Sequence, residues 1–274
     1  MSDSPSSDNN TPIQTSPPLL GEIEAYAILA ITVAIMFILG ELCFKFFGKA
    51  GFIMAELLVV LPMSVFLLRG RYPIRSVIRL NPVSIKLIGL SIVIGFAVLV
   101  LTDEIQRLVS LLFPMPQELE ESIIANMKVS GMGEIVLVGI GVVVVAGLGE
   151  EMLFRGFLQG ILENHRGATT AVLTTSLLFS LIHLNPWWMI QILILSFVLS
   201  LLAWRADSII PSAMVHAINN GAGLLSANAD LEHIPYYNTG GHVSPMFLII
   251  MAVMLFLSFK SFFSATRELH DNDE

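Results

Sequence analysis

Gly133 to Leu162 reads GEIVLVGIGVVVVAGLGEEMLFRGFLQGIL, an apolar run that nevertheless carries Glu150, Glu151 and Arg155 beyond its middle. A bilayer-spanning helix needs roughly 20 mostly apolar residues, so this stretch is long enough to cross. Charged groups at membrane depth cost several kcal/mol each, so three within two turns mark a functional centre rather than a packing accident.

The rest of the chain repeats the pattern. Of its 274 residues, 55% are hydrophobic and only 13% charged, and the mean hydropathy is +0.79. A soluble domain carries about a quarter charged residues. Apolar stretches recur at 23–47, 51–68, 84–102, 133–162, 168–184, 187–204, 208–227 and 244–263. They predict an all-α, polytopic membrane bundle of about eight spans. The pieces between them carry the breakers, including the acidic 103–131 segment with Pro114 and Pro116. Residues 1–21, rich in Ser, Pro, Asn and Asp and without a Lys/Arg n-region, read as a disordered tail. The expected organisation is that tail, flanking helices and acidic loop over 22–131, a core over 132–227, and a last span with polar tail over 228–274.

Lys and Arg set the orientation, because cytoplasmic loops retain them. Arg69, Arg71, Arg75, Arg79, Lys86, Arg166, Arg205, Lys260 and Arg267 fall on one side of an alternating bundle. An integral protein of the plasma membrane with both termini cytoplasmic is expected, and the Arg69–Arg79 cluster suits topology control or anionic lipid. No basic stripe suggests nucleic acid. The single cysteine, Cys43, excludes an internal disulfide and reads as a small hydrophobe. Small residues crowd the fourth helix, with Gly156 and Gly160 in GxxxG spacing, which ordinarily serves close helix contact.

Two further spans carry polar groups: His183 in the fifth, and His216, Asn219 and Asn220 in the seventh, everything else at depth being nearly apolar. Glu151 and Arg155 are i,i+4 neighbours and form the expected ion pair, leaving Glu150 on another face as the freer carboxylate. Phe179 with His183, and His216 with Asn220, repeat the i,i+4 spacing. At about 1.5 Å rise per residue, Glu150 lies ~25 Å along its helix from the outer surface, while His183 and His216 return ~22 Å and ~15 Å from the inner side. The three levels agree, so the groups are expected to meet. Together they permit water activation, with Glu150 as base, His216 and Asn220 as oxyanion partners, and His183 positioning water or ligating a metal. Asn219 is rotated away and reads as a neighbour.

Three motifs in order resemble the CAAX prenyl protease type II, or Abi (bacteriocin-processing), family of intramembrane proteases. Glu150 to Arg155 matches EExxxR, Phe179 to His183 matches FxxxH, and His216 to Asn220 matches HxxxN, together covering about residues 130–226. The resemblance implies an intramembrane endopeptidase with Glu150, His183, His216 and Asn220 catalytic and Glu151, Arg155 and Phe179 supporting. Its substrate would be a membrane-embedded or lipid-anchored protein or peptide. Members are described both as metalloproteases and as metal-independent glutamate proteases. The cofactor is therefore zinc or none, and a metal would fall to Glu150, His183 and His216. Two other classes stay open: a membrane scaffold or regulator that keeps the fold without catalysis, and a proton-coupled transporter. The oligomeric state is not readable.

Outside these motifs the polar residues read as structural. Asp230, Glu232, His233 and His242 look like solvated loop residues, and His165 with Arg166 like a cytoplasmic turn. Ser176 and Ser180 lack a GxSxG context. The methionines of the last span, Met246, Met251 and Met254, suit a lipid-facing or packing surface.

Overall fold

The computed structural model of the chain describes residues 20–229, 234 and 236–267. Most of the N-terminal tail, the polar C-terminal tail, and Asp230, Glu232 and His233 lie outside the described residues. The described chain is almost wholly helical: α1 Glu22–Phe47, α2 Lys49–Arg69, a short α3 Ile74–Val77, α4 Ile85–Leu112, α5 Gln117–Met127, α6 Met132–Arg166, α7 Ala168–Ile182, α8 Met189–Ala206, α9 Ile210–Asn228 and α10 Pro245–Ala265. A two-stranded ribbon, β1 Asn238–Thr239 and β2 His242–Val243, precedes the last helix.

Six of these helices, α1, α2, α4, α6, α8 and α10, are long and apolar enough to cross a membrane. This makes the chain a multi-spanning membrane bundle and lowers the expected count of about eight spans. The two that fall short are the ones that carry the His and Asn motifs. Helix α7 has only 15 residues, about 22 Å at the helical rise. Helix α9 has 19 residues but dilutes its apolar face with His216, Asn219 and Asn220. The acidic linker is also more ordered than its breakers suggest. Helix α4 runs on to Leu112, and Pro116 precedes the N-terminal turn of α5, where a missing N–H costs nothing.

Polar contacts sort the helix ends into two groups. At one end Arg79 meets Glu163 and Asp207, Arg166 meets Glu22, His165 meets the Leu20 carbonyl, and Arg205 donates to the Phe263 carbonyl. At the other, Lys49 meets Glu134, Asn228 donates to the Met127 carbonyl, and Trp187 donates to the Pro114 carbonyl and stacks on Phe113. Of the basic residues expected on one side, Arg79, Arg166 and Arg205 make their contacts at that first end, with Arg79 drawn into a partly buried network. His242, read as solvated, pairs with Glu104 at 2.8 Å.

Two apolar clusters form the interior. One joins α1, α2, α6 and α7 through residues such as Met63, Phe154, Phe157 and Phe179. The other joins α4, α8, α9 and α10 through Ile94, Leu199, Val215 and Phe262. The outward faces stay apolar, with Phe37, Ile38, Ile249 and Phe256 exposed, as hydrocarbon surroundings require. Met246 belongs to that outer surface, whereas Met251 and Met254 are half-buried.

Two glycines have specific geometric reasons. Gly48 turns α1 into α2 with φ +55°, a region that β-carbons disfavour. Gly156 lets α6 touch the backbone after α3: a β-carbon there would lie 2.5 Å from the Ile78 carbonyl oxygen. The Gly156/Gly160 pair thus seats the Ile78–Arg79 turn rather than a second spanning helix.

Candidate active site

Glu151 and Arg155 are fully buried and paired at 2.7 Å. Arg155 also donates to the Ser196 hydroxyl at 2.7 Å and stands 4.2 Å over the Phe179 ring. One turn on, Gln159 donates to the Ser200 carbonyl at 3.0 Å, so two residues four apart on α6 match two residues four apart on α8. Neither Ser196 nor Ser200 stands out in the sequence, because serine is common in apolar helices. Their signal is the i,i+4 match alone.

His216 enters from α9. Its Nδ1 lies 2.9 Å from Glu151 Oε1, and a carboxylate partner places the proton on that nitrogen. Nε2 then faces Glu150 Oε2 at 3.8 Å. The Phe179 ring packs edge-on to His216 and tilted against His183, with centroid separations of 5.7 and 4.8 Å. His183 Nδ1 donates to the Phe179 carbonyl at 2.7 Å, leaving Nε2 as its free ring nitrogen. The FxxxH spacing thereby acquires a cause: one phenylalanine supports Arg155, His183 and His216, and its carbonyl fixes a tautomer.

Glu150 differs from its neighbour. Its Oε2 is buried without a hydrogen-bond partner. With His183 it lines a cavity of about 160 Å³ whose remaining wall is mainly apolar, including Leu29, Met36, Val59 and Phe154. Phe37 and His183 are exposed at its edge. Helices α1 and α2, expected only as a flank, supply much of this wall. Glu56 of α2, 8% exposed, also lines it and has a buried Oε2 without a partner. Glu56 corrects the expectation that nothing else ionisable sits at depth. The rule that singled out Glu150 applied equally to a lone carboxylate within an apolar helix.

Asn220 is placed elsewhere. It donates to the Val142 carbonyl at 3.0 Å and is not among the residues around the cavity. Asn219 bonds back to the Val215 carbonyl. Ser176 and Ser180 likewise donate to helix carbonyls. Three turns of wider π geometry lie beside these groups: Met36–Gly40 at the cavity wall, Ile140–Ala146 where Asn220 docks, and Met152–Leu158 around Arg155. Such turns recur at functional sites because they re-aim side chains within a continuous helix.

Among the described residues no three His, Cys, Asp or Glu side chains are grouped so as to hold a metal ion. Glu151 holds Nδ1 of His216 and the Phe179 carbonyl Nδ1 of His183, outer hydrogen bonds that metal-ligating histidines also make. Their free nitrogens are nevertheless not grouped with Glu150 into a ligand set, and as arranged these residues do not form a zinc site.

Comparison with known proteins agrees with the motif reading. Residues 132–222 match the family model of the type II CAAX prenyl endopeptidase Rce1-like proteins. The UPF0177 protein YxdF of Lactococcus lactis subsp. lactis (strain IL1403) is 31% identical over 97 residues, 34% of this chain and 53% of that protein. The chain thus spans about half the length of this curated relative. No solved structure matches the chain. All the motif residues, from Glu150 to Asn220, fall inside the matched segment.

Proposed function

We propose that this protein is an intramembrane endopeptidase that hydrolyses a peptide bond of a membrane-embedded or lipid-anchored substrate. The observation that carries the reading is the different placement of two adjacent carboxylates: Glu151 is held by Arg155 and His216 away from the cavity, while Glu150 lines a cavity shared with His183 and has no hydrogen bond to its Oε2. A carboxylate base needs that freedom, and a positioned base contributes about 10²–10⁴-fold to such reactions.

In this reading a water molecule sits in the cavity between the Glu150 carboxylate and the free Nε2 of His183. Glu150 takes a proton as the water oxygen bonds to the substrate carbonyl carbon. The C–N bond then breaks as its nitrogen acquires a proton. His216 Nε2 stands 3.8 Å from Glu150 Oε2, and Glu151 holds His216 through Nδ1. Asn220 orients α9 against α6 through Val142 instead of binding the oxyanion. No step is routed through a metal. Helices α7 and α9 complete the crossing packed on α4, α6 and α8, with both termini cytoplasmic in the plasma membrane, and their polarity is tolerated because it faces protein and cavity.

The test is turnover of a quenched-fluorescence peptide library, lipidated and plain, by the full chain in proteoliposomes. Glu150→Gln should lower kcat by about 10³-fold, within the range for loss of a general base, with the melting temperature kept. An active Glu150→Gln protein would remove the proposed role, and failure of the wild-type protein to cleave any peptide would count against the hydrolase.

A further inference from the structure

The proposed hydrolysis leaves one requirement open. An amine is a poor leaving group, so the nitrogen needs a proton donor as the C–N bond breaks. Glu150 has just received the proton of water, and a second acid beside it would divide the work.

Glu56 answers the description. It belongs to α2, outside the segment that matches the family model, and lies on the wall of the same cavity as Glu150 and His183. It is 8% exposed, and its Oε2 is buried without a hydrogen-bond partner. Helix α2 comes close to α6 at this level: a β-carbon on Gly149 would lie 3.8 Å from the Glu56 carbonyl oxygen. Within the cavity its neighbours are Leu29, Thr32, Val33 and Val59 from α1 and α2, and Glu150, Leu153 and His183 across from them. The cations and imidazoles of the site serve other groups, Arg155 holding Glu151 and His216 lying between Glu150 and Glu151. An isolated carboxyl in apolar surroundings is least costly as the neutral acid, the form that donates. A structural carboxyl would be expected to end on donors, as both oxygens of Glu163 and of Glu104 do here.

We infer that Glu56 is a second catalytic carboxyl group, the acid that protonates the leaving nitrogen while Glu150 serves as base. This rests on the hydrolase reading above. The step balances. Glu150 carboxylate takes H⁺ from water and the oxygen bonds to carbon, giving a tetrahedral intermediate. The Glu56 carboxyl gives its proton to nitrogen as the C–N bond breaks, releasing a carboxylic acid and an amine. The pair begins and ends with one proton, which passes from Glu150 back to Glu56 before the next turnover.

The deciding experiment compares a peptide with a p-nitrophenyl ester of the same acyl sequence, using full-length wild-type, Glu56→Gln and Glu56→Asp proteins in proteoliposomes. The nitrophenolate leaves without a proton, so loss of an acid harms the peptide far more than the ester. Glu56→Gln should reduce kcat for the peptide at least 30-fold more than for the ester, with KM little changed, and Glu56→Asp should recover part of the loss. A melting curve on each variant checks folding. Equal losses on both substrates, or full peptide cleavage by Glu56→Gln, would overturn the inference while leaving the hydrolase standing. Peptide and ester rates unaffected by Glu150→Gln would instead overturn the hydrolase reading, and this inference with it.

Discussion

The two halves of the polar centre differ in what surrounds their carboxylates. Around Glu151, Arg155, His216, Ser196 and the Phe179 face close over one another, with Glu151 Oε2 and Arg155 Nε left without a partner. Glu150 and Glu56 instead line a cavity, each with a buried Oε2 that has no hydrogen-bond partner. Buried polar groups ordinarily find partners, and leaving one without costs about 1–3 kcal/mol. The two adjacent carboxylates thus differ in access: Glu150 lines the cavity and Glu151 does not. The proposed chemistry is assigned to the cavity side for that reason.

This contrast can be broken from its closed side. Arg155→Met strands Glu151 in the interior, and breaking one partner of a buried pair costs about 3–5 kcal/mol. The melting temperature in detergent should drop sharply, and wild-type stability in that variant would deny the closed half its structural role. A smaller effect is expected where α6 is held from outside the centre. Gly156→Val forces a side chain against the Ile78 backbone, and overpacking of this kind costs about 1–3 kcal/mol. An unchanged melting curve would show that the α3 turn moves freely. The smallest effect lies at the ribbon, remote from both halves, where Tyr237 donates to Asp103 at 2.8 Å. Burial and that carboxylate push the Tyr237 phenol above its ordinary range. A raised folded-state value means the stabilisation is full below the unfolded phenol value of about 10 and is lost as pH rises above it. Protease nicking of the ribbon should therefore increase above about pH 10 in the wild-type protein. In Tyr237→Phe that increase should be weaker, and identical pH profiles would contradict it.

Much of the closed half is legible from spacing. Glu151 and Arg155, Phe179 and His183, and the approach of His216 follow from one helical turn and from matched depths. The depth estimate also explains why Asn220 bonds Val142 rather than standing beside Glu150. Four residues beyond His216, it lies ~6 Å nearer the outer side, where antiparallel α6 presents Val142 rather than Glu150. The i,i+4 rule puts His216 and Asn220 on one face of α9 without saying what lies opposite each. Glu56 was visible as an ionisable group in an apolar helix but belongs to no motif, and only packing of α2 against α6 brings it to Glu150. The π turns were not legible, because hydropathy tolerates an extra residue per turn. The span count fell from eight to six by length and hydropathy because α7 is short and α9 polar, the price of carrying the site.

The central claim is that Glu150, and not Glu151, is the reactive carboxylate. Turnover and melting temperature measured side by side for Glu150→Gln and Glu151→Gln in proteoliposomes test it most directly. The first protein should melt like the wild type and fail to cleave, whereas the second should melt early. A Glu150→Gln protein that cleaves at the wild-type rate, or one that unfolds while Glu151→Gln stays intact, would contradict it.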